Sequence, residues 1–407
     1  RQCRTFCFRR TFVFVIQKLW KTLLSFTLLF GTLLTIQKFR VTDTGARELL
    51  WKPKSKWWKE RDREVKANTS SLWDGNVSAL TRSPVLPSWN VEAANCSSVD
   101  ARAVDLARRL EPRFQQFVLH RSCRYFPMLL NHPEKCSADV DVLLVVKSVI
   151  EQHERREAVR RTWGAERTVR GRRVRTLFLL GTPSPGKDAR NLQKLLEYED
   201  RIYGDILQWD FQDTFFNLTL KEVNFLRWFN IYCAHTPFVF KGDDDVFVST
   251  DNLVELIDFR SDEGRARELF VGDTISKAIP IRNQHSKYYI PRELFDKPYP
   301  PYVGGGGFLM SSWIARQLFV VSEGLELFPI DDVFLGMCLQ KLGRTPESHL
   351  GFRTFGIVKR KMSSSMNSEP CFFRNLIVVH KLSARDLLRM WSVVQDPKLT
   401  CAKNYSL

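Results

Sequence analysis

From about Ala101 onward the chain alternates short apolar runs with longer amphipathic stretches. Asp141-Val-Leu-Leu-Val-Val reads as a buried strand, and Glu154 to Trp163 as the helix that follows it. Arg175-Thr-Leu-Phe-Leu-Leu-Gly is a second strand closed by glycine, with a helix from about Asp188 to Arg201. Ile206-Leu-Gln-Trp gives a third strand, Leu218 to Ile231 a third helix, and Phe238-Val-Phe a fourth strand. Strands that alternate with helices pair in parallel, because a parallel neighbour is reached only by a crossover. The pattern predicts an α/β domain with a mostly parallel central sheet. Ligands of such sheets bind beyond the carboxyl ends of the strands. No internal repeat is present.

The N-terminal pattern is different. Thr22 to Gln37, TLLSFTLLFGTLLTIQ, carries no charge, and Leu19 and Trp20 extend it beyond Lys21. A run of this length lies near the lower limit of about 17 residues for a membrane span. The residues after it, QKFRV, lack a small-residue cleavage pattern, so 19–37 is expected to be an uncleaved signal anchor behind a cytoplasmic tail, 1–18. Basic residues flank the run on both sides, so charge does not set its orientation. The acceptor patterns at Asn68, Asn76, Asn95, Asn217 and Asn404 all follow the run and place the remainder in the lumen. Cysteine usage agrees. Cys96, Cys123, Cys136, Cys233, Cys338, Cys371 and Cys401 are dispersed without paired zinc spacing, which suggests disulfides with one thiol left over. Val41 to about Asp100 is polar and broken by Pro53, Pro84 and Pro87, so 38–105 is expected to be a lumenal stem and 106–407 the folded domain.

A balance of 44% hydrophobic and 26% charged residues is that of a globular protein, which excludes a wholly disordered or fibrous chain. The net charge of +17 points to an anionic ligand, a membrane surface or nucleic acid. No zinc-finger spacing or RNA-binding aromatic signature accompanies it, so nucleic acid is not expected as a partner.

The chemistry concentrates where apolar runs break into acids. Phe-Lys-Gly-Asp-Asp-Asp-Val-Phe-Val ends the fourth strand, and adjacent carboxylates near a core need a cation. In an extended chain Asp243 and Asp245 point the same way and can share one hard cation, with a diphosphate as natural companion. Asp331 and Asp332 form a second pair before a helix-like Val333 to Gln340. One can cap that helix, leaving the other for acid–base work. Between the pairs, Tyr299-Pro-Pro-Tyr-Val-Gly-Gly-Gly-Gly-Phe suggests a backbone approached closely by a ligand. Arg156 and Arg160 lie one helical turn apart and can face one anion, or form a solvated basic face. His380 ends an apolar strand and is structural, or a metal or phosphate contact.

Taken together and in order, RREAVRRTWG, the YGDILQWDF…FFNLTLK segment, FKGDDDVFV, YPPYVGGGGF, FPIDDVFLGMCL and the late Val-His resemble the β-1,3-glycosyltransferase family that uses nucleotide sugars. The resemblance covers roughly Cys123 to Cys401. It implies a GT-A-type, Rossmann-like nucleotide-sugar-binding domain behind a single transmembrane helix and stem. It also implies inverting transfer of GlcNAc from UDP-GlcNAc to the 3-hydroxyl of terminal β-galactose, on anionic, sulfated poly-N-acetyllactosamine or keratan sulfate-type glycans. Alternatives are β-1,3-galactosyl transfer and a non-catalytic glycan- or nucleotide-binding protein. By the family pattern Asp245 holds Mn2+ or another divalent cation with Asp243 and His380, and Asp332 is the catalytic base. Arg156, Arg160, Asp243, Asp244 and Lys221 would contact the donor. Tyr299, Tyr302, Gly304, Gly305, Gly306 and Asp331 would border donor and acceptor. The implied location is the Golgi membrane as a single-pass type II protein, with homo-oligomers or complexes with other Golgi transferases as possible partners.

Overall fold

The computed structural model describes residues 88–97, 99, 101–136, 139–186, 188–354 and 369–401. All of them belong to the unit Thr81–Leu407. The expected tail and anchor, most of the stem, and the sequons at Asn68, Asn76 and Asn404 lie outside these residues. Among the described residues no helix is long and apolar enough to cross a membrane.

In chain order the first strands are β1 (Asn95–Cys96), β2 (Cys123–Tyr125), β3 (Met128–Leu130), β4 (Val142–Lys147), β5 (Arg167–Val169), β6 (Arg172–Thr182) and β7 (Ile206–Gln212). The rest are β8 (Phe238–Asp243), β9 (Val246–Val248), β10 (Phe270–Ile275), β11 (Tyr302–Ser311), β12 (Glu347–Ser348), β13 (Phe352–Arg353) and β14 (Val378–His380). The helices begin with α1 (Ala101–Arg108), α2 (Pro112–His120), α3 (His153–Arg160), α4 (Ala189–Tyr203) and α5 (Leu218–Tyr232). They continue with α6 (Thr250–Asp262), α7 (Ser312–Glu323), α8 (Asp331–Lys341), α9 (Pro370–Asn375) and α10 (Ala384–Val394).

The main sheet runs β12-β10-β11-β8-β4-β6-β7-β3, with β5 paired to β6. Its centre, β7-β6-β4-β8, is parallel, as the alternation of strands and helices predicts. Antiparallel strands flank this centre: β11 beside β8 with β10 beyond it, and β3 beside β7. Period-two burial explains the layering. Leu143 and Val145 of β4 face a core built largely on α5, α7 and α8, while Val142, Leu144 and Val146 face one built on α3, α6 and α10.

The strand order fixes where the site forms. From β4 the chain steps to β6 and β7 on one side, then returns to place β8 on the other. Crossovers on opposite sides leave a crevice at the carboxyl ends of β4 and β8. Lys147 and Asp243, the last residues of those strands, are register partners there.

The glycine run forms a strand: Gly304 to Gly307 lie inside β11, and Gly307 pairs with Gly242 of β8. The folded unit also reaches back into the stretch assigned to the stem, since α1 straddles 105 and the Trp89 indole donates to Phe126 O at 3.0 Å. Disulfides join Cys96 to Cys123, Cys136 to Cys233 and Cys371 to Cys401, and buried Cys338 is the free thiol among the described residues.

Candidate functional site

The aspartate triplet stands at the crevice. Asp243 closes β8, Asp244 and Asp245 make the turn, and β9 leads away. Each carboxylate meets a protein partner. Asp243 Oδ1 lies 3.2 Å from Lys147 Nζ. Asp244 accepts from Ser148 Oγ at 2.7 Å and from Arg155 Nη1 at 3.0 Å. Asp245 Oδ1 is 3.0 Å from His380 Nε2, and its Oδ2 is 3.6 Å from Arg155 Nη1. This corrects the expectation that an added ion alone makes the triplet tolerable. Burial raises the Asp244 carboxyl against these donors, whereas for Asp245 His380 and Arg155 outweigh burial and hold it low.

Oxygen atoms of Asp243 and Asp245 and a ring nitrogen of His380 all lie within 4.8 Å of one another. The partner on the far side of the His380 ring suits a cation as well. His380 Nδ1 is 2.6 Å from Thr354 O, so an Nδ1–H donates there, and loss of the Nε2 proton that faces Asp245 would free that nitrogen for a cation. Two carboxylates and an imidazole form a donor set that fits Mn2+ or a related divalent ion. His380 reaches this place because β14 pairs antiparallel with β9, directly after the triplet.

The second acidic pair opens α8, but neither residue is its cap. Ile330 holds the cap position, and Asp331 and Asp332 occupy the first turn. Lys147 Nζ reaches Asp331 Oδ2 at 2.7 Å, which outweighs burial and keeps Asp331 ionised. Asp332 forms no ion pair of its own among the described residues, and the Lys147 charge lowers it less than burial raises it. Its Oδ1 accepts the Val333 N–H at 2.8 Å, yet burial, with the Asp331 charge beside it, pushes its carboxyl up to about 7. Two adjacent acids are thus driven apart, one fixed as an anion and one poised to exchange a proton near neutrality.

The glycine strand provides the space between them. A Cβ on Gly305 would lie 3.3 Å from Lys147 Nζ and 3.8 Å from Asp332 Oδ2. One on Gly306 would lie 3.2 Å from Thr354 Cβ and 3.4 Å from the His380 ring. Bare backbone is what lets the base, the ammonium and the imidazole converge. Tyr302 opens this strand, and Tyr299 packs edge-on to it at 6.2 Å. Burial and the nearby Asp332 push the Tyr302 phenol up to about 12.

Other expected contacts are not brought to the crevice. Arg156 is buried and gives both its forks to structure: Nε and Nη2 to Glu199 at 2.8 and 2.7 Å, and Nη1 to Ser148 Oγ at 3.2 Å. Arg160 binds Asp205 at 2.8 and 2.9 Å and Glu199 at 2.7 Å. A buried guanidinium must find carboxylates, and these two have them, although Arg160 Nη1 keeps no hydrogen-bond partner among the described residues. Lys221 is likewise buried, 2.8 Å from Asp213 and donating to Ser148 O. It shapes the backbone beneath Asp244 rather than facing a ligand. The Asn217 sequon has a structural cause of its own: Asn217 donates to Gln212 O at 2.8 Å and buried Thr219 to Phe328 O at 2.6 Å.

The sequence reading missed Lys147, Ser148 and Arg155. The signal for the first two was the polar Lys-Ser closing an apolar strand next to the triplet's strand. Arg155 adjoins Arg156, and spacing alone does not say which face of α3 turns to the crevice.

With this geometry in hand, comparison with known proteins is direct. The family model described as galactosyltransferase matches residues 154–349. The rat protein named UDP-GlcNAc:betaGal beta-1,3-N-acetylglucosaminyltransferase 7 is 54% identical over 349 residues, covering 84% of this chain and 87% of its own length. The mouse protein of the same name matches to the same extent. Human N-acetyllactosaminide beta-1,3-N-acetylglucosaminyltransferase 3 is 50% identical over 290 residues, covering 70% and 77%. The family expected from the motifs is the family found: the chain belongs to the galactosyltransferase family, alongside the β-1,3-N-acetylglucosaminyltransferases.

Proposed function

We propose that this protein transfers GlcNAc, with inversion, from UDP-GlcNAc to the 3-hydroxyl of a terminal β-galactose, through a GT-A-type domain. The observation that carries the reading is Asp332, a carboxyl held near 7 across the glycine strand from the Asp243, Asp245 and His380 cluster. A base with a pKa near working pH accepts a hydroxyl proton most effectively. Asp332 Oδ2 takes the proton of the acceptor's 3-hydroxyl as that oxygen attacks the anomeric carbon from the face opposite UDP, converting an α to a β linkage. Lys147 keeps Asp331 ionised beside the base. Asp243, Asp245 and His380 would hold the divalent ion, which when bound neutralises the leaving diphosphate.

The rat relative's name gives UDP-GlcNAc as its donor and β-galactose as its acceptor, and the human relative's name gives N-acetyllactosaminide. Sulfated poly-N-acetyllactosamine or keratan sulfate-type acceptors, a Golgi membrane location with the catalytic domain lumenal, and homo-oligomers or complexes with other transferases complete the proposal. The matched family's description keeps β-1,3-galactosyl transfer as the second reading. A screen of UDP-GlcNAc against UDP-Gal on β-galactoside acceptors separates them. Transfer from UDP-GlcNAc is expected, and transfer from UDP-Gal alone refutes the first reading.

A further inference from the structure

The groups that would hold the ion come from two sheets. Asp243 ends β8 of the main sheet, whereas His380 ends β14 of the small sheet β13-β14-β9. Their spacing therefore depends on what joins the two sheets behind the crevice. The parallel register of β13 and β14 pairs Phe352 with Val378 and Arg353 with Val379, so Thr354 follows as the neighbour of His380. There the His380 Nδ1–H donates to Thr354 O at 2.6 Å.

Buried Thr354 is in turn held from the main sheet. Asp273 of β10 accepts both the Thr354 N–H and the Thr354 Oγ1–H on one oxygen, Oδ2, each at 3.1 Å. Asp273 stands at a register break. Gly272 pairs with Phe308 and Thr274 with Val303, so β10 spends one residue, Asp273, where β11 spends four, Gly304 to Gly307. Such a bulge turns a side chain out of the regular alternation, and bulges recur beside active sites. Here Asp273 reaches Thr354, and the bare glycine backbone opposite leaves room for its neighbours. A Cβ on Gly306 would lie 3.2 Å from Thr354 Cβ and 3.4 Å from the His380 ring.

We propose that Asp273 is a positioning residue for the cation site: by pinning the amide and hydroxyl of Thr354 it aims that residue's carbonyl at His380, and so holds the imidazole where it can share one divalent ion with Asp243 and Asp245. The inference rests on the metal-dependent transfer reading above and adds a residue that acts through Thr354 and His380 rather than on the ion. A hydrogen-bond partner behind a ligating imidazole fixes the orientation of the ring, and its loss commonly weakens metal binding about 10- to 100-fold. Asp273 stands one hydrogen bond further back, so its removal should cost about the lower figure.

The test titrates Mn2+ into the purified full chain with UDP present, following the spin-resonance signal of the free ion against a protein-free UDP control. Melting of the metal-free protein is measured alongside. Asp273→Ala is expected to weaken Mn2+ binding about tenfold. Asp273→Asn, whose amide oxygen can accept the same two hydrogen bonds, should keep most of the affinity. Thr354→Val, which removes the hydroxyl and keeps the amide, should fall between the two, and it provides the same test should Asp273→Ala not fold. Parental Mn2+ affinity in Asp273→Ala or in Thr354→Val, whatever the melting temperature, would show that Asp273 serves the fold alone and would overturn the inference. A loss in Asp273→Asn as large as in Asp273→Ala would overturn it too, because charge rather than placement would then be acting. Should the unaltered protein take up no Mn2+ beyond the control, the metal-dependent function itself is refuted, and the inference with it.

Discussion

Asp332 adjoins Asp331, the carboxylate that Lys147 keeps ionised. The Asp332 carboxyl is raised to about 7 by burial and by Asp331, so it is ionised above that pH and protonated below it. A base must be ionised to act, so kcat should fall as pH drops through about 7 and level off above. A kcat–pH profile checks this, and a flat profile between pH 5 and 8 contradicts it. Asp332→Asn should lose at least about 100-fold in turnover while UDP affinity holds. Tyr299→Phe deletes a buried hydroxyl without a partner, so thermal stability should be unchanged or slightly higher while acceptor KM rises. A loss of stability would mean that the hydroxyl has a partner in the free protein.

The element scale shows what sequence patterning conveyed. The four parallel strands and the helices between them were legible because each is a long run with one dominant period, and their order alone placed the triplet at a strand's carboxyl end. Glycines carry no hydrophobic signal, so β11 was invisible as a strand although it lies between β8 and β10. Arg156 and Arg160 were correctly placed on one helix face, but the carboxylates that claim them, Glu199 and Asp205, come from α4 and the loop after it, which only tertiary contact reveals. His380 depended on a strand pairing no local pattern shows. The glycine strand makes a contrast to test. Gly305→Val should enter the space between Lys147 and Asp332 and abolish turnover with little change in melting temperature. Gly307→Val, whose Cβ would lie 3.0 Å from Val378 and 3.1 Å from Phe240, should instead destabilise by about 1 to 3 kcal/mol.

For the whole molecule, dispersed cysteines predicted disulfides with one thiol over, as found among the described residues, but not their pairing, which follows from which loops the fold brings together. Cys136–Cys233 spans 97 residues and ties the loop before β4 to the end of α5. On the chain-entropy account a closure of this length contributes about 4 to 5 kcal/mol, so the Cys136→Ala, Cys233→Ala double variant should melt well below the parent. Replacing Cys338, buried and raised to about 12, by Ala should leave all three bridges formed on a thiol count. The proposed donor site is the crevice at the carboxyl ends of β4 and β8. Calorimetric titration of UDP into the purified domain, with Mn2+ and after chelation, tests it most directly. The account predicts binding that requires the ion and is lost in Asp245→Asn. Equal affinity with and without the ion, or in that variant, would contradict it.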